Sequence, residues 1–154
     1  MLDNISFAHL NVASFTRVEI QQLILKRLGK HFQVLNLVET HTKQDTEASI
    51  RRRFPEIEFY FNHGPSQANR ENHKEGCRGT LIALKLGALK TKNFQIHVPG
   101  RLSTLDFNIE GRPYRLTSIY APSEDETNNP LQFFIKLFMP EVIDPDRMNI
   151  LVGD

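Results

Sequence analysis

Apolar and polar positions along this chain predict a strand, a helix and a second strand before any residue suggests chemistry. Residues Asn4 to Val12 alternate and then turn apolar at Ile5, Phe7, Leu10 and Val12, the pattern of a buried strand. Thr16-Arg17-Val18-Glu19 has the form of a capping box, and Ile20, Leu23, Ile24 and Leu28 then share one helical face. Lys26 and Arg27 fall in the last turn of that helix, and Gly29 is the expected left-handed stop. Val34, Leu35, Leu37 and Val38 form a second short apolar run ending on Glu39. A strand–helix–strand unit of this length predicts neighbouring strands in one sheet.

A second helix is expected over Gln44 to Arg53, ended by Pro55, followed by a strand through Ile57, Phe59 and Phe61. From Asn62 to Gly76 the chain is polar and reads as a long surface loop. Four β-like stretches follow: Thr80 to Leu86, Phe94 to Val98, Leu102 to Ile109 and Tyr114 to Tyr120. Glu110-Gly111 joins the last two and predicts an antiparallel hairpin. Asn129-Pro130 opens a third helix, with Leu131, Phe134, Ile135 and Phe138 expected to face the core and Pro140 to close it. The Asp144-Pro145-Asp146 turn then feeds a final strand, Met148 to Asp154, expected to be buried.

Composition narrows the class without naming a chemistry. The 154 residues are the size of one domain, enough to bury about 70% of the unfolded surface. Nineteen Lys and Arg against 18 Asp and Glu give a net charge of +1, so any basic footprint for nucleic acid must be local. Cys77 is the single cysteine, which excludes an intrachain disulfide and points to a reducing compartment. The first residues lack the order of a signal peptide, and no apolar run approaches the ~20 residues of a bilayer span. The expectation is an intracellular protein, cytoplasmic or nuclear.

Chemistry enters at the strand ends. In open α/β sheets functional groups gather at the carboxyl ends of strands. Three predicted strands here end on oxygen-bearing side chains: Asn11, Glu39 and Asp154. Turns favour these residue types anyway, so no one of them is diagnostic. Together they suit a metal-dependent hydrolase, because Mg²⁺ takes one or two carboxylates and completes its shell with water and substrate phosphate. Phosphodiester cleavage also needs a base to orient the attacking water.

Four segments in order resemble the endonuclease/exonuclease/phosphatase superfamily. Leu10-Asn11-Val12 is similar to its first strand motif. Val38-Glu39-Thr40-His41 is similar to its metal-binding Glu motif, in the Glu-Thr-His form frequent in retrotransposon-type endonucleases. Ile119-Tyr120-Ala121-Pro122 is similar to the Tyr-Ala-Pro motif, and Leu151-Val152-Gly153-Asp154 to the opening of the Gly-Asp-x-Asn motif. Cys77-Arg78-Gly79-Thr80 before Leu81-Ile82-Ala83 sits where the family has a glycine-bearing turn ahead of an apolar strand.

The resemblance, nearest to retrotransposon-type or apurinic/apyrimidinic endonucleases, implies an α/β fold. It would be an incomplete four-layer α/β sandwich, with mixed β-sheets flanked by helices. It implies that Glu39 and Asn11 organise Mg²⁺ (Mn²⁺ as the alternative), that Tyr120 contacts the scissile phosphate, and that Asp154 orients or deprotonates the water. Asn11 and His41 are the implied substrate contacts, although His41 reads equally well as a cap of the following turn. DNA is the implied partner, with a phosphorylated small molecule or a lipid-linked phosphate as the alternative. The sequence also departs from the family. Its motif Asn, two positions beyond Asp154, and its Asp-His pair have no counterpart. Residues 1–154 therefore read as the amino-terminal two thirds of such a domain, stopping at the Gly-Asp of that motif. Little or no turnover is expected of them alone, and a degenerate, non-catalytic copy is a further alternative.

Other features carry bland expectations. His63, His73 and Cys77 match no common zinc spacing and read as a solvated loop, with His63, Asn69 or Arg70 as secondary candidates for touching substrate. Arg51-Arg52-Arg53 reads first as a solvated helix end and second as a phosphate patch. Ser14 and Thr16 have no paired His and read as helix-start residues rather than nucleophiles.

Overall fold

A computed structural model describes residues 5–64, 78–122 and 130–154. Two four-stranded mixed sheets stack face to face. The first has the order β1-β2-β4-β3, built from β1 (Phe7–Asn11), β2 (Val34–Val38), β3 (Ile57–His63) and β4 (Gly79–Lys85). Strands β1 and β2 pair in parallel, as their strand–helix–strand connection requires, and β4 runs antiparallel to both β2 and β3. The second sheet has the order β5-β6-β7-β8, from β5 (Lys90–Val98), β6 (Leu102–Ile109), β7 (Arg112–Ile119) and β8 (Met148–Gly153). The β6–β7 hairpin turns through Glu110 and Gly111 at φ 49° and 78°, a left-handed pair that suits a two-residue hairpin loop.

Three apolar clusters define four layers. Helices α1 (Val18–Gln22) and α2 (Gln44–Arg53) cover the outer face of the first sheet, burying Phe15, Ile24, Leu25, Ile50 and Phe54 against Leu35, Leu37 and Leu81. Between the sheets lie Val34, Ile82, Leu84, Leu105, Phe107 and Leu116. Each such fully buried side chain contributes roughly 1.5–3 kcal/mol through apolar surface removed from water. Helix α3 (Pro130–Leu137) covers the outer face of the second sheet, with Phe133, Leu137 and Val142 on Leu102. The predicted α/β architecture of mixed sheets flanked by helices is the one observed. Among the described residues no helix is long and apolar enough to cross a membrane.

Several local expectations give way to tertiary packing. Thr16 does not cap α1: the N-cap position is Arg17, with no side-chain cap, and the Thr16 hydroxyl pairs with Ser14 instead. The helix continues with π geometry over Leu23–Arg27 and a 3-10 turn over Leu28–Lys30, so Gly29 lies inside a helical turn and is not a left-handed stop. In α3 the buried residues are Phe133 and Leu137, while Leu131, Phe134, Ile135 and Phe138 are exposed. Six of the eight residues from Leu131 to Phe138 are apolar, so periodicity could not choose the face, and the sheet took the i, i+4 pair. Strand β8 is the edge of its sheet: Ile150 and Val152 pack inward, and Met148 and Leu151 are exposed rather than buried.

One buried ion pair ties the chain ahead of β8 to the sheet. Arg115 and Asp106 face each other across β6 and β7 in a two-pronged contact of 2.6 and 2.8 Å, and Arg115 also donates to the carbonyl of Glu141. The Asp106 carboxylate, against the desolvating effect of burial, raises the Arg115 guanidinium above its ordinary pKa.

Candidate active site

The carboxyl ends of β1, β2 and β8 and the residue after β7 meet at one edge of the sandwich. Asn11, the last residue of β1, donates one amide N–H to Glu39 Oε1 at 2.9 Å and the other to Asp154 Oδ2 at 3.0 Å. Its own Oδ1 accepts from the Ala13 backbone N–H at 3.1 Å, which fixes the plane of the amide. Tyr120 donates its hydroxyl to the same Glu39 Oε1 at 2.9 Å. Asn11, Glu39, Tyr120 and Asp154, singled out from separate parts of the sequence, are thus one hydrogen-bonded group drawn from both sheets.

The backbone positions these side chains firmly. Glu39 follows β2 at φ 56°, a left-handed conformation that costs an ordinary residue energy. It is held there from both sides: Val38 C=O accepts from Val12 N–H, Thr40 N–H donates to Gly79 C=O, and Thr40 C=O accepts from Phe15 N–H. Gly79 is needed for this closure, since a Cβ there would lie 2.5 Å from Thr40 Oγ1. His41, at φ 55°, makes no hydrogen bond to the site group among the described residues. Asp154 is anchored by its backbone N–H to Ile119 C=O and by Ala121 N–H to its own C=O. Arg101 braces Tyr120, donating to its carbonyl at 3.2 Å with the guanidinium 5.3 Å from the ring centroid.

Sharing one amide places two carboxylates within the ~4–6 Å over which like charges act on each other. The half-exposed edge is therefore negatively charged and suited to a cation. The donor set fits a hard divalent ion: both acidic groups supply carboxylate oxygens, and of the two Glu39 oxygens only Oε1 is hydrogen-bonded among the described residues. Asn11, as placed, turns nitrogen toward the carboxylates, so liganding through Oδ1 requires its amide to turn over. Among the described residues no cluster of three or more His, Cys, Asp or Glu side chains is arranged to hold a metal.

His9, which the sequence reading passed over, borders the site. Its Nε2 is 3.5 Å from Asp154 Oδ1, and its Nδ1 is 3.0 Å from Asn36 Nδ2. The signal that could have found it is period two: His9 precedes Asn11 by two residues on a strand and so shares its face. His63, by contrast, is taken up by the scaffold. It contacts Glu47 at 2.6 Å and Thr42 at 3.2 Å. Burial raises the Glu47 carboxyl, but hydrogen bonds from His63 and Arg51 outweigh it and hold the group below its ordinary range. Arg51 binds Glu47 and the Phe59 carbonyl, and Arg53 binds Gln21, so two members of the basic run serve the fold. Asn69, Arg70, His73 and Cys77 lie outside the described residues.

No protein-family model matches the sequence, and no characterised protein matches it by sequence search. Solved structures do. An AP endonuclease from Archaeoglobus fulgidus aligns with a TM-score of 0.64 at 20% identity, over 98% of this chain and 57% of that one. D. rerio TDP2 in complex with a single-strand DNA product aligns with a TM-score of 0.67 at 14% identity, over 97% of this chain and 60% of that one. An endonuclease/exonuclease/phosphatase family protein from Leptotrichia buccalis aligns with a TM-score of 0.62 at 11% identity, over 98% of this chain and 66% of that one. This chain spans 57 to 66% of the length of these three structures, and over that span it has the fold of the endonuclease/exonuclease/phosphatase proteins.

Proposed function

We propose that the chain forms the core of a divalent-cation-dependent phosphoester hydrolase whose substrate is DNA. The observation that carries this reading is the Asn11 amide joining Glu39 and Asp154 at 2.9 and 3.0 Å, across two sheets, beside the Tyr120 hydroxyl. Isolated turn residues would have no reason to converge in this way. The fold shared with an AP endonuclease and with a TDP2 bound to a single-strand DNA product supports DNA as the substrate class.

Glu39, with Asn11 turned to present Oδ1, would hold Mg²⁺ or Mn²⁺, which when bound supplies polarisation of the phosphoryl oxygen. Tyr120 would swing its hydroxyl from Glu39 to a phosphate oxygen. Asp154, 47% exposed, would take the proton of the attacking water. Before the ion binds, the N–H groups of Asn11 hold the two carboxylates in register, and His41 would contact the substrate beside Glu39. The reaction is assigned to the domain. The motif Asn and the Asp-His pair of the family have no counterpart in these 154 residues, and losing such groups costs about a hundredfold or more in rate. We expect little or no turnover from them alone.

The test is Mg²⁺ titration by calorimetry, wild type against Glu39→Ala. Saturable binding abolished by the substitution supports the reading, and a folded wild type that binds no Mg²⁺ or Mn²⁺ refutes it in favour of a non-catalytic copy. Cleavage of plasmid DNA compared with inositol phosphate and sphingomyelin by a completed domain separates the nuclease from a phosphomonoesterase or a lipid phosphodiesterase.

A further inference from the structure

A polar line runs inward from the site along the layer between the sheets. His9 and Asn36 sit directly opposite each other on the parallel strands β1 and β2, two residues below the Asn11–Val38 pair. Asn36 is 2% exposed at the centre of a strand that is buried along its whole length. Its Nδ2 faces the His9 ring, and its Oδ1 is buried without a hydrogen-bond partner among the described residues.

We propose that His9 is the positioning residue of Asp154, held in one tautomer by Asn36 so that its Nε2–H is offered to Asp154 Oδ1. This deepens the hydrolase reading and rests on the role it gives Asp154. The tautomer follows from donor and acceptor counting. An ionised carboxylate can only accept, so the nitrogen facing Asp154 must carry the hydrogen. In the neutral ring the other nitrogen, Nδ1, is then an acceptor, and the group 3.0 Å from it is the Asn36 amide nitrogen, a donor. The chain of donation therefore runs from Asn36 Nδ2 to His9, and from His9 Nε2 to Asp154 Oδ1. On the other side of the carboxylate Asn11 donates to Oδ2.

The two oxygens of Asp154 are thus claimed from two residues of the same face of β1, His9 and Asn11, which fixes the carboxylate plane against the strand. The His9 contact, 3.5 Å, is at the outer limit of a hydrogen bond, a length usual for catalytic contacts before substrate closes the site. Without it Asp154 would be held through Oδ2 alone, on an edge where its side chain is 47% exposed and free to turn. A general base that must face one water gains most from losing that rotation.

The test is NMR of the folded chain, with readouts independent of hydrolysis. The ¹⁵N shifts of the His9 ring report the tautomer, and the Hα–Hβ couplings of Asp154 report whether its side chain occupies one rotamer. The expected result is an Nε2–H tautomer in the wild type, kept in Asp154→Asn because Asn36 still donates to Nδ1 and the new amide oxygen can still accept, and mixed with the other form when both partners are removed in Asp154→Asn/Asn36→Leu. Unequal Asp154 couplings are expected in the wild type, averaged couplings in His9→Phe, and unequal ones again in His9→Gln, whose amide restores a donor. Unchanged β1 and β8 amide shifts in His9→Phe confirm that the fold is kept; if they move, the Asn36→Leu variant, which frees the ring without altering it, provides the same readout. An Nδ1–H tautomer in the wild type, or Asp154 couplings indifferent to His9→Phe, overturns the proposal. Mg²⁺ titration fails separately if the hydrolase reading is wrong, since neither NMR readout requires a metal or a substrate.

Discussion

Of the two small replacements for Glu39, glycine should leave the fold the more stable. At φ 56° its backbone is in the left-handed region, which costs an L-residue about 1–2 kcal/mol relative to glycine. Glycine gives back about 0.4–1 kcal/mol through the greater freedom of the unfolded chain. Glu39→Gly and Glu39→Ala both remove the carboxylate and its hydrogen bonds from Asn11 and Tyr120, so those losses cancel between them. The remaining difference favours glycine by about 1 kcal/mol, or 2–4 °C in melting temperature for a chain of this size. Both variants should lose Mg²⁺ binding, measured by calorimetry alongside urea and thermal unfolding. His41→Gly, at φ 55°, is the control and should gain similarly over His41→Ala while keeping the metal. Equal stability of the two Glu39 variants, or an alanine form more stable than the glycine form, would show that the backbone there is relaxed and refute the reasoning.

Other consequences can be measured with the same instruments. In Gly153→Ala the new Cβ would lie 1.8 Å from the Ile119 carbonyl oxygen, so the end of β8 must part from β7; we expect a loss above about 2 kcal/mol in urea unfolding. Arg115→Met strands Asp106 in a buried setting, with Arg147 still 3.5 Å away, and should cost about 3 kcal/mol; adding Asp106→Leu should recover most of it. Burial, with the Arg115 and Lys136 charges, lowers the His97 pKa below 6.5. The unfolded chain then binds the proton first as pH falls below that value, so stability declines on acidification there, and His97→Gln should flatten the urea midpoint between pH 7 and 5.5. Glu47 and Glu58 are depressed below 4.5, so their contribution is present above that pH and is lost as pH falls through their folded values.

Much of the fold was legible because the strands carry it. The apolar run at Val34–Val38, the hairpin at Glu110-Gly111 and helix Gln44–Arg53 each agree in local pattern and tertiary role. Sequence misled where two outcomes have similar local energy. The capping box at Thr16 competed with a Ser14 partner, and α3 offered an apolar residue on every side. Asn11, Glu39 and Asp154 stood out because each ends a predicted strand and Tyr120 through its likeness to a Tyr-Ala-Pro motif, and the structure brings the four side chains into one hydrogen-bonded group. His9 did not stand out, since it lies inside β1 rather than at its end and only its two-residue spacing from Asn11 marks it. Left-handed Glu39 and His41 were invisible too, because no glycine marked the strain.

The shared amide of Asn11 makes the carboxylate-bearing edge a gauge of how the two sheets are stacked. His9, Asn11 and Glu39 belong to one sheet, Tyr120 and Asp154 to the other, and hydrogen bonds of 2.9–3.0 Å tolerate only small slippage between them. A volume change at Ile82 or Leu105, deep in the interleaf and far from any reacting atom, would be transmitted to the alignment of the carboxylates. Core substitutions that leave stability almost untouched would then shift Glu39 against Asp154, and a second change on the facing sheet would bring them back into line.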